Sequence, residues 1–265
     1  MSSPRVLVFD SGVGGLSIAE AIRTRLPDAS LLYLADNACF PYGDQSAERV
    51  EQRCVELITS ALARHPVDVV VIACNTASTI VLPALRAAVD VPVVGVVPAI
   101  KPAARATVSG RIGLLATPAT VSRPYLEQLI ADYAPDCELT RVGSSELVRM
   151  AENALGDAPV PSSALEPILT PLIEADVDTV VLGCTHFPLL RPALEQIMGP
   201  QVTWVDSGEA IARRVASLLE GATGQVQEAG VAQHQLLFTG SRPKGIEAWA
   251  SRNGLVSYQV GDAFS

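Results

Sequence analysis

Short apolar runs rich in β-branched residues recur along the chain, separated by longer stretches in which apolar positions return at helical spacing. The runs are Arg5–Phe9, Leu31–Ala35, Val67–Ala73, Val91–Val96 and Arg111–Ala116, followed by Glu138–Val142, Thr179–Gly183, Val202–Val205, Gln235–Thr239 and Val256–Val260. Most are continuously apolar and do not alternate, as expected of strands covered on both faces. Between them, Ser46–Arg64 is the clearest helix. Ser46 is a candidate N-cap, and Val50, Leu57, Ile58, Ala61 and Leu62 fall on one face. Strand and helix in strict alternation predict an α/β fold with mainly parallel sheets flanked by helices.

A second regularity lies above the first. VVVIACNTAST (Val69–Thr79) and TVVLGCTHFPLL (Thr179–Leu190) share one order: an apolar strand, a small residue, a cysteine, one or two polar residues, then a helix start. VLVFDSG and IGLLATP likewise end strands on Asp10 and Thr117. Asp10 to Thr117 spans 107 residues and Cys74 to Cys184 spans 110, so the chain reads as two related α/β halves facing one another. We expect a first domain of residues 1–97 plus 207–265 and a second of residues 98–206.

Composition narrows the function. The 265 residues are 49% hydrophobic and 18% charged, an ordinary globular balance. A net charge of −9 argues against nucleic acid as the main ligand, since phosphate binding needs basic surface. The apolar runs fall far short of the roughly 20 residues that span a bilayer. The N-terminus MSSPRVLVFD lacks the features of a secretion signal, so a cytoplasmic location is expected. The odd number of cysteines, 5, with no CxxC pair, favours free thiols over disulfides.

Ligands of open parallel sheets bind beyond the carboxyl ends of the strands, where both Cys74 and Cys184 sit. Each also precedes a predicted helix, whose first amides and dipole stabilise a thiolate. A single such cysteine is more simply a buried apolar residue. Two in matched settings suit a reaction that needs a base on one face of a carbon and an acid on the other, which is racemisation. Cys54, four residues from Val50, belongs to the helix core. A pyridoxal sink would need a Schiff-base lysine, and Lys101 and Lys244 are both outside strand-end motifs. No cofactor is expected. No metal is either, because Cys184 and His186 supply two ligands where a structural zinc takes four.

The segments FDSGVGGLS, DNACFPYG, ACNTAST, GVVPAI, ATPATV, ELVRMAE, GCTHFPLL and VDSGEAIA, in that order, resemble the glutamate racemase family. The likeness runs to about Ala216. It implies two pseudo-symmetric α/β domains, each an αβα sandwich, with the active site in the cleft between them, and it implies glutamate as substrate, D-glutamate supply for peptidoglycan, and a homodimer. It further implies Cys74 as the base for D-glutamate and Cys184 as the base for L-glutamate. Asp10 would support the Cys74 side, and Glu152 and His186 the Cys184 side. Ser11, Tyr42, Gly43, Asn75, Thr76, Thr117, Thr185 and His186, with Asp10 on the ammonium, would hold the substrate. Cys39 departs from the pattern, standing in a loop where many relatives carry Arg.

Other readings remain. GVGGLS followed by Asp36 imitates a dinucleotide-binding fingerprint, yet Ser17 replaces its third glycine. A thiol hydrolase would leave one cysteine idle. A non-catalytic amino-acid binder needs neither thiol, and an aspartate racemase would share most of the motifs. On residue chemistry alone, His186 could merely order its loop and Glu152 could lie on a solvated helix face.

Overall fold

In a computed structural model of the protein, residues 3–155, 160–220, 232–255 and 258–263 are described. The first half runs β1 (Arg5–Asp10), α1 (Leu16–Arg25), β2 (Ser30–Ala35), α2 (Ala47–Arg64), β3 (Val69–Ile72), α3 (Asn75–Ala88) and β4 (Val93–Gly95). The second begins with α4 (Ile100–Ala106), β5 (Arg111–Ala116), α5 (Pro118–Val121), α6 (Pro124–Tyr133) and β6 (Glu138–Gly143). It continues through α7 (Ser145–Ala154), α8 (Ser162–Glu174), β7 (Thr179–Leu182), α9 (Arg191–Met198) and β8 (Thr203–Val205). The tail adds α10 (Gly208–Glu220), β9 (His234–Phe238), α11 (Ile246–Arg252) and β10 (Tyr258–Asp262).

Two sheets form, both parallel throughout. One has the order β10-β9-β2-β1-β3-β4, the other β6-β5-β7-β8. The order around β1 (β2-β1-β3-β4) therefore repeats around β5, as the paired cysteine motifs predict. Even single bonds correspond: Ala73 N–H donates to Phe9 O at 2.8 Å, and Gly183 N–H donates to Leu115 O at 2.7 Å. Each bond places a cysteine one residue beyond its donor, at the carboxyl end of its sheet.

The continuous apolar character of the strands has a plain cause. Val6 and Val8 pack on one face of the first sheet, Leu7 and Phe9 on the other, and all are fully buried. Val180 and Leu182 divide from Val181 in the same way in the second sheet. Helices cover both faces of these central strands, while the edge strand β6 stays partly exposed, and burying each such apolar side chain contributes about 1.5–3 kcal/mol. Each predicted run overlaps a strand, with trimmed ends at β3 and β4; of Val256–Val260, residues 256 and 257 lie outside the described part. The C-terminal strands β9 and β10 extend the first sheet beside β2. The chain crosses between sheets near residues 97 and 207, and these crossings touch: Ser207 Oγ donates to Val97 O at 2.6 Å. Among the described residues no helix is long and apolar enough to cross a membrane.

Helix α2 starts where the sequence places it. Ser46 Oγ accepts from Arg49 N–H at 3.3 Å, and Val50, Cys54, Leu57, Ile58 and Ala61 are buried, while Leu62 is only partly so. Replacing Ser46 by Ala should cost about 1 kcal/mol. A urea titration of the variant should show an earlier midpoint with an unchanged slope.

Candidate active site

The carboxyl ends of the two sheets face each other, and the candidate residues gather there. Cys74 occupies the N-cap position of α3, and its sulfur lies 3.9 Å from Ser11 Oγ. Cys184 departs from the expected grammar. The segment after it forms a 3₁₀ turn at Phe187–Leu190 before α9 begins. Pro188 and Pro192 lack the N–H that an unbroken helix from this point would use. Cys184 is served instead by a side chain, His186 Nδ1, 3.8 Å from its sulfur. Cys74 and Cys184 are 7% and 6% exposed as residues, so both are shielded from bulk water yet bordered by polar groups.

Asp10, fully buried at the end of β1, accepts from Gly12 N–H on Oδ1 and from the Thr185 hydroxyl on Oδ2, both at 2.9 Å. The second bond reaches across from one sheet to the other. Glu152 completes a parallel crossing. Its Oε2 accepts from Val13 N–H at 2.9 Å and from His186 Nε2 at 2.7 Å. That settles which way this face of α7 points: Glu152 turns inward, onto the histidine. Thr76 and Thr117 hydroxyls meet across the cleft at 3.2 Å, and Ser17 Oγ donates to Thr185 O at 3.0 Å.

The loop between β1 and α1 needs its glycines for this contact. A Cβ on Gly14 would fall 2.3 Å from His186 Nδ1, and one on Gly12 would fall 2.5 Å from Glu152 Oε2. The glycine pattern that imitates a dinucleotide fingerprint thus serves close approach between the two halves. Asp36, which that reading would place on a ribose, is fully buried. It accepts from Arg53 (Nε at 2.9 Å), Tyr42 Oη at 2.8 Å and Thr239 Oγ1 at 2.7 Å.

Tyr42 is accordingly not aimed at the cleft through its hydroxyl, which donates to Asp36 while the ring packs against Phe9. The amides of Tyr42 and Gly43 are the first two of the turn Tyr42–Asp44, positions with no acceptor inside the turn, and Gly43 faces Thr117. Asn75 is 3% exposed, and its Oδ1 has no hydrogen-bond partner among the described residues. It lines a small cavity together with Cys184 and Thr185. Cys39 is buried, and Arg49 Nε donates to its sulfur at 3.2 Å, so a cation from α2 reaches the loop whose own arginine is missing.

Several participants carry no signature in the sequence. Thr120 binds Thr117 Oγ1 at 2.9 Å, Tyr33 Oη donates to Gly12 O at 2.5 Å, and Asp44 bonds to Ser145 and Arg149. Tyr33 and Asp44 have partners distant in the chain, and Thr120 matters only through Thr117, so the local spelling does not mark a role at the site.

Burial pushes the Cys74 thiol well up, and the Asp10 carboxylate adds to the effect. Burial also raises Asp10, against the pull of His186 and the bonds from Gly12 and Thr185. For His186 burial alone would favour the neutral ring. The hydrogen bonds and charges of Cys184 and Glu152 outweigh it and hold the imidazole well above its ordinary range. The site can therefore keep a protonated thiol on one side and an imidazolium facing the other sulfur. Among the described residues no three His, Cys, Asp or Glu side chains gather as metal ligands would.

Two parallel sheets that each deliver one cysteine to a shared, water-poor, carboxylate-lined cleft define a two-lobed α/β protein suited to acid–base chemistry on both faces of a small molecule. Known proteins agree. The family described as Asp/Glu/Hydantoin racemase matches residues 16–215. The glutamate racemase of Shewanella loihica is 49% identical over 257 residues, covering 95% of each chain. That of Salmonella paratyphi A is 55% identical over 219 residues, 82% of this chain and 77% of the relative. The Escherichia coli glutamate racemase, solved with L-glutamate and the activator UDP-MurNAc-Ala, superposes with a TM-score of 0.89 at 45% identity, covering 98% of this chain and 97% of that one. The RacE1 isoform of Bacillus anthracis gives 0.81 at 32%, with the same coverage. This chain belongs to the Asp/Glu/hydantoin racemase family.

Three histidines should therefore titrate apart. Burial lowers both His65 and His234, while His186 is held high. NMR of labelled imidazoles should show one resonance titrating well above the other two, and Glu152→Gln should draw it downward. Because folding raises the His186 value, its contribution to stability is complete below about pH 6.5 and is lost as pH rises through the folded value.

Proposed function

We propose that this chain interconverts L- and D-glutamate without a cofactor, using Cys74 and Cys184 as opposed acid and base, and so supplies D-glutamate for peptidoglycan. The observation that carries the reading is the repeated strand-end placement of the two thiols, with Asn75 Oδ1, unpartnered among the described residues, in a small cavity beside Cys184 and Thr185. The glutamate racemases among the relatives, and the L-glutamate in the Escherichia coli structure, support the choice of substrate.

From L-glutamate, Cys184 as thiolate takes the α-proton. The electron pair left on the α-carbon spreads into the adjacent carboxylate. Cys74 as thiol then delivers its proton to the opposite face, leaving D-glutamate, a thiolate at Cys74 and a thiol at Cys184. From D-glutamate the two exchange roles. The burial that keeps Cys74 protonated suits it to act as the acid in the first direction. His186, donating to Glu152 through Nε2, supplies the positive charge that faces Cys184. Opposed bases need no rotation of the substrate, and shielding from water strengthens every interaction that holds the carbanion.

No Lys or Arg stands among the residues assigned to the substrate. Its carboxylates are held by Ser11, Asn75, Thr76, Thr117 and Thr185 and by the Tyr42 and Gly43 amides, at helix and turn starts. Asp10 takes the ammonium. The strand order supports a first domain of residues 1–97 with 207–265 and a second of 98–206, joined where Val97 meets Ser207. Residues carrying the family likeness are the basis for a cytoplasmic homodimer.

Incubation with L-glutamate in D₂O, without added cofactor, should give loss of optical activity together with one deuteron at Cα. Cys74→Ala and Cys184→Ala should each lower racemisation by at least about a thousandfold, the scale of losing an essential acid–base group. Exchange at Cα with no change of enantiomer would contradict the two-base scheme.

A further inference from the structure

Asp44 closes the turn that begins with Tyr42 and Gly43, and its carboxylate reaches over the mouth of the cleft to α7. Ser145 Oγ donates to Oδ1 at 3.1 Å, and Arg149 Nη2 donates to Oδ2 at 2.5 Å. Ser145, Arg149 and Glu152 stand at i, i+4 and i+7, one face of the helix. The inner end of that face holds Val13 and His186 through Glu152, and the outer end holds Asp44. We propose that Asp44, with Ser145 and Arg149, is a positioning latch that sets how tightly the Tyr42–Gly43 turn and α7 close over the substrate. The proposal rests on the racemase reading, since the turn and the helix matter only if glutamate binds between them.

Geometry and exposure together favour a latch over a fixed strut. The buried crossing from Thr185 to Asp10 lies at the floor of the cleft. The Asp44 and Arg149 side chains are 38% and 53% exposed, at its rim. An ion pair there can open to water and re-form on each turnover, because both partners are readily solvated when apart. Closing it brings Gly43, the neighbour of Asp44, toward Thr117 on the other lobe.

The sign of one substitution separates this role from simple electrostatics. Glutamate is anionic, so removing the negative charge of Asp44 would by field alone help substrate approach. A latch predicts the reverse. Racemisation of L-glutamate by the full-length protein should show KM raised about fivefold in Asp44→Asn at low ionic strength, with kcat within about twofold. A purely structural defect would instead reduce kcat through the fraction of folded enzyme. The ratio of variant to wild-type KM should shrink toward one near 1 M salt, where the screening length is about 3 Å. The exchange Asp44→Arg with Arg149→Asp should recover most of the loss, and circular dichroism would confirm its fold.

A KM for Asp44→Asn equal to or below that of wild type overturns the latch, as does an unchanged ratio at high salt. A well-folded double exchange no better than either single exchange does the same. Wild-type protein that does not racemise glutamate would overturn the underlying reading instead, so the two failures are distinguishable.

Discussion

One carboxylate oxygen, Glu152 Oε2, accepts a backbone bond from the first half and a ring nitrogen from the second. Neither contact is possible unless the loop at residues 11–15 lies against His186 without intervening side chains. Gly12 and Gly14 provide that clearance. The consequence is a cleft whose floor is a hydrogen-bonded seam between lobes. Asp10 with Thr185 and Thr76 with Thr117 extend the same seam. Reagents on opposite faces of one carbon must be held in fixed relation, and a seam of short polar contacts does so without a continuous sheet.

The seam also explains why the two thiols differ although their strands repeat. Cys74 caps a regular helix and lies near a buried carboxylate, which disfavours its ionised form. Cys184 precedes a proline-bearing 3₁₀ turn and has an imidazole for a neighbour. Duplicated strand geometry supplies position, and unlike neighbours give the two thiols different electrostatic surroundings.

The sheets were legible from local pattern, because runs such as Val69–Ile72 and Thr179–Leu182 are apolar on both faces and admit no other placement. The cysteines were legible because their settings repeat. The departure at Cys184 came from prolines whose missing N–H groups matter more than the matched spelling around them. Glu152 was undecided from residue chemistry, since a helix face does not announce which lobe it meets. Tyr42 shows a further limit: its motif marks the right turn, but the hydroxyl is claimed by Asp36, itself fixed by Arg53 on α2 and Thr239 near the far end of the chain. Such three-way arrangements exist only after the chain has folded back on itself.

The late return of the chain to its first sheet bears on how the molecule emerges from the ribosome. β9 pairs with β2, and β10 with β9, so two strands of the first sheet arrive after the entire second one. Until then the outer edge of β2 presents unpaired backbone groups flanked by Leu32 and Leu34, the kind of edge that recruits foreign strands. Synthesis of the thirty or so residues from the start of β9 to the end of β10 takes only seconds at usual elongation rates. During the longer wait before it, that edge of β2 stays open to pairing with foreign strands, and closing it falls to β9 alone.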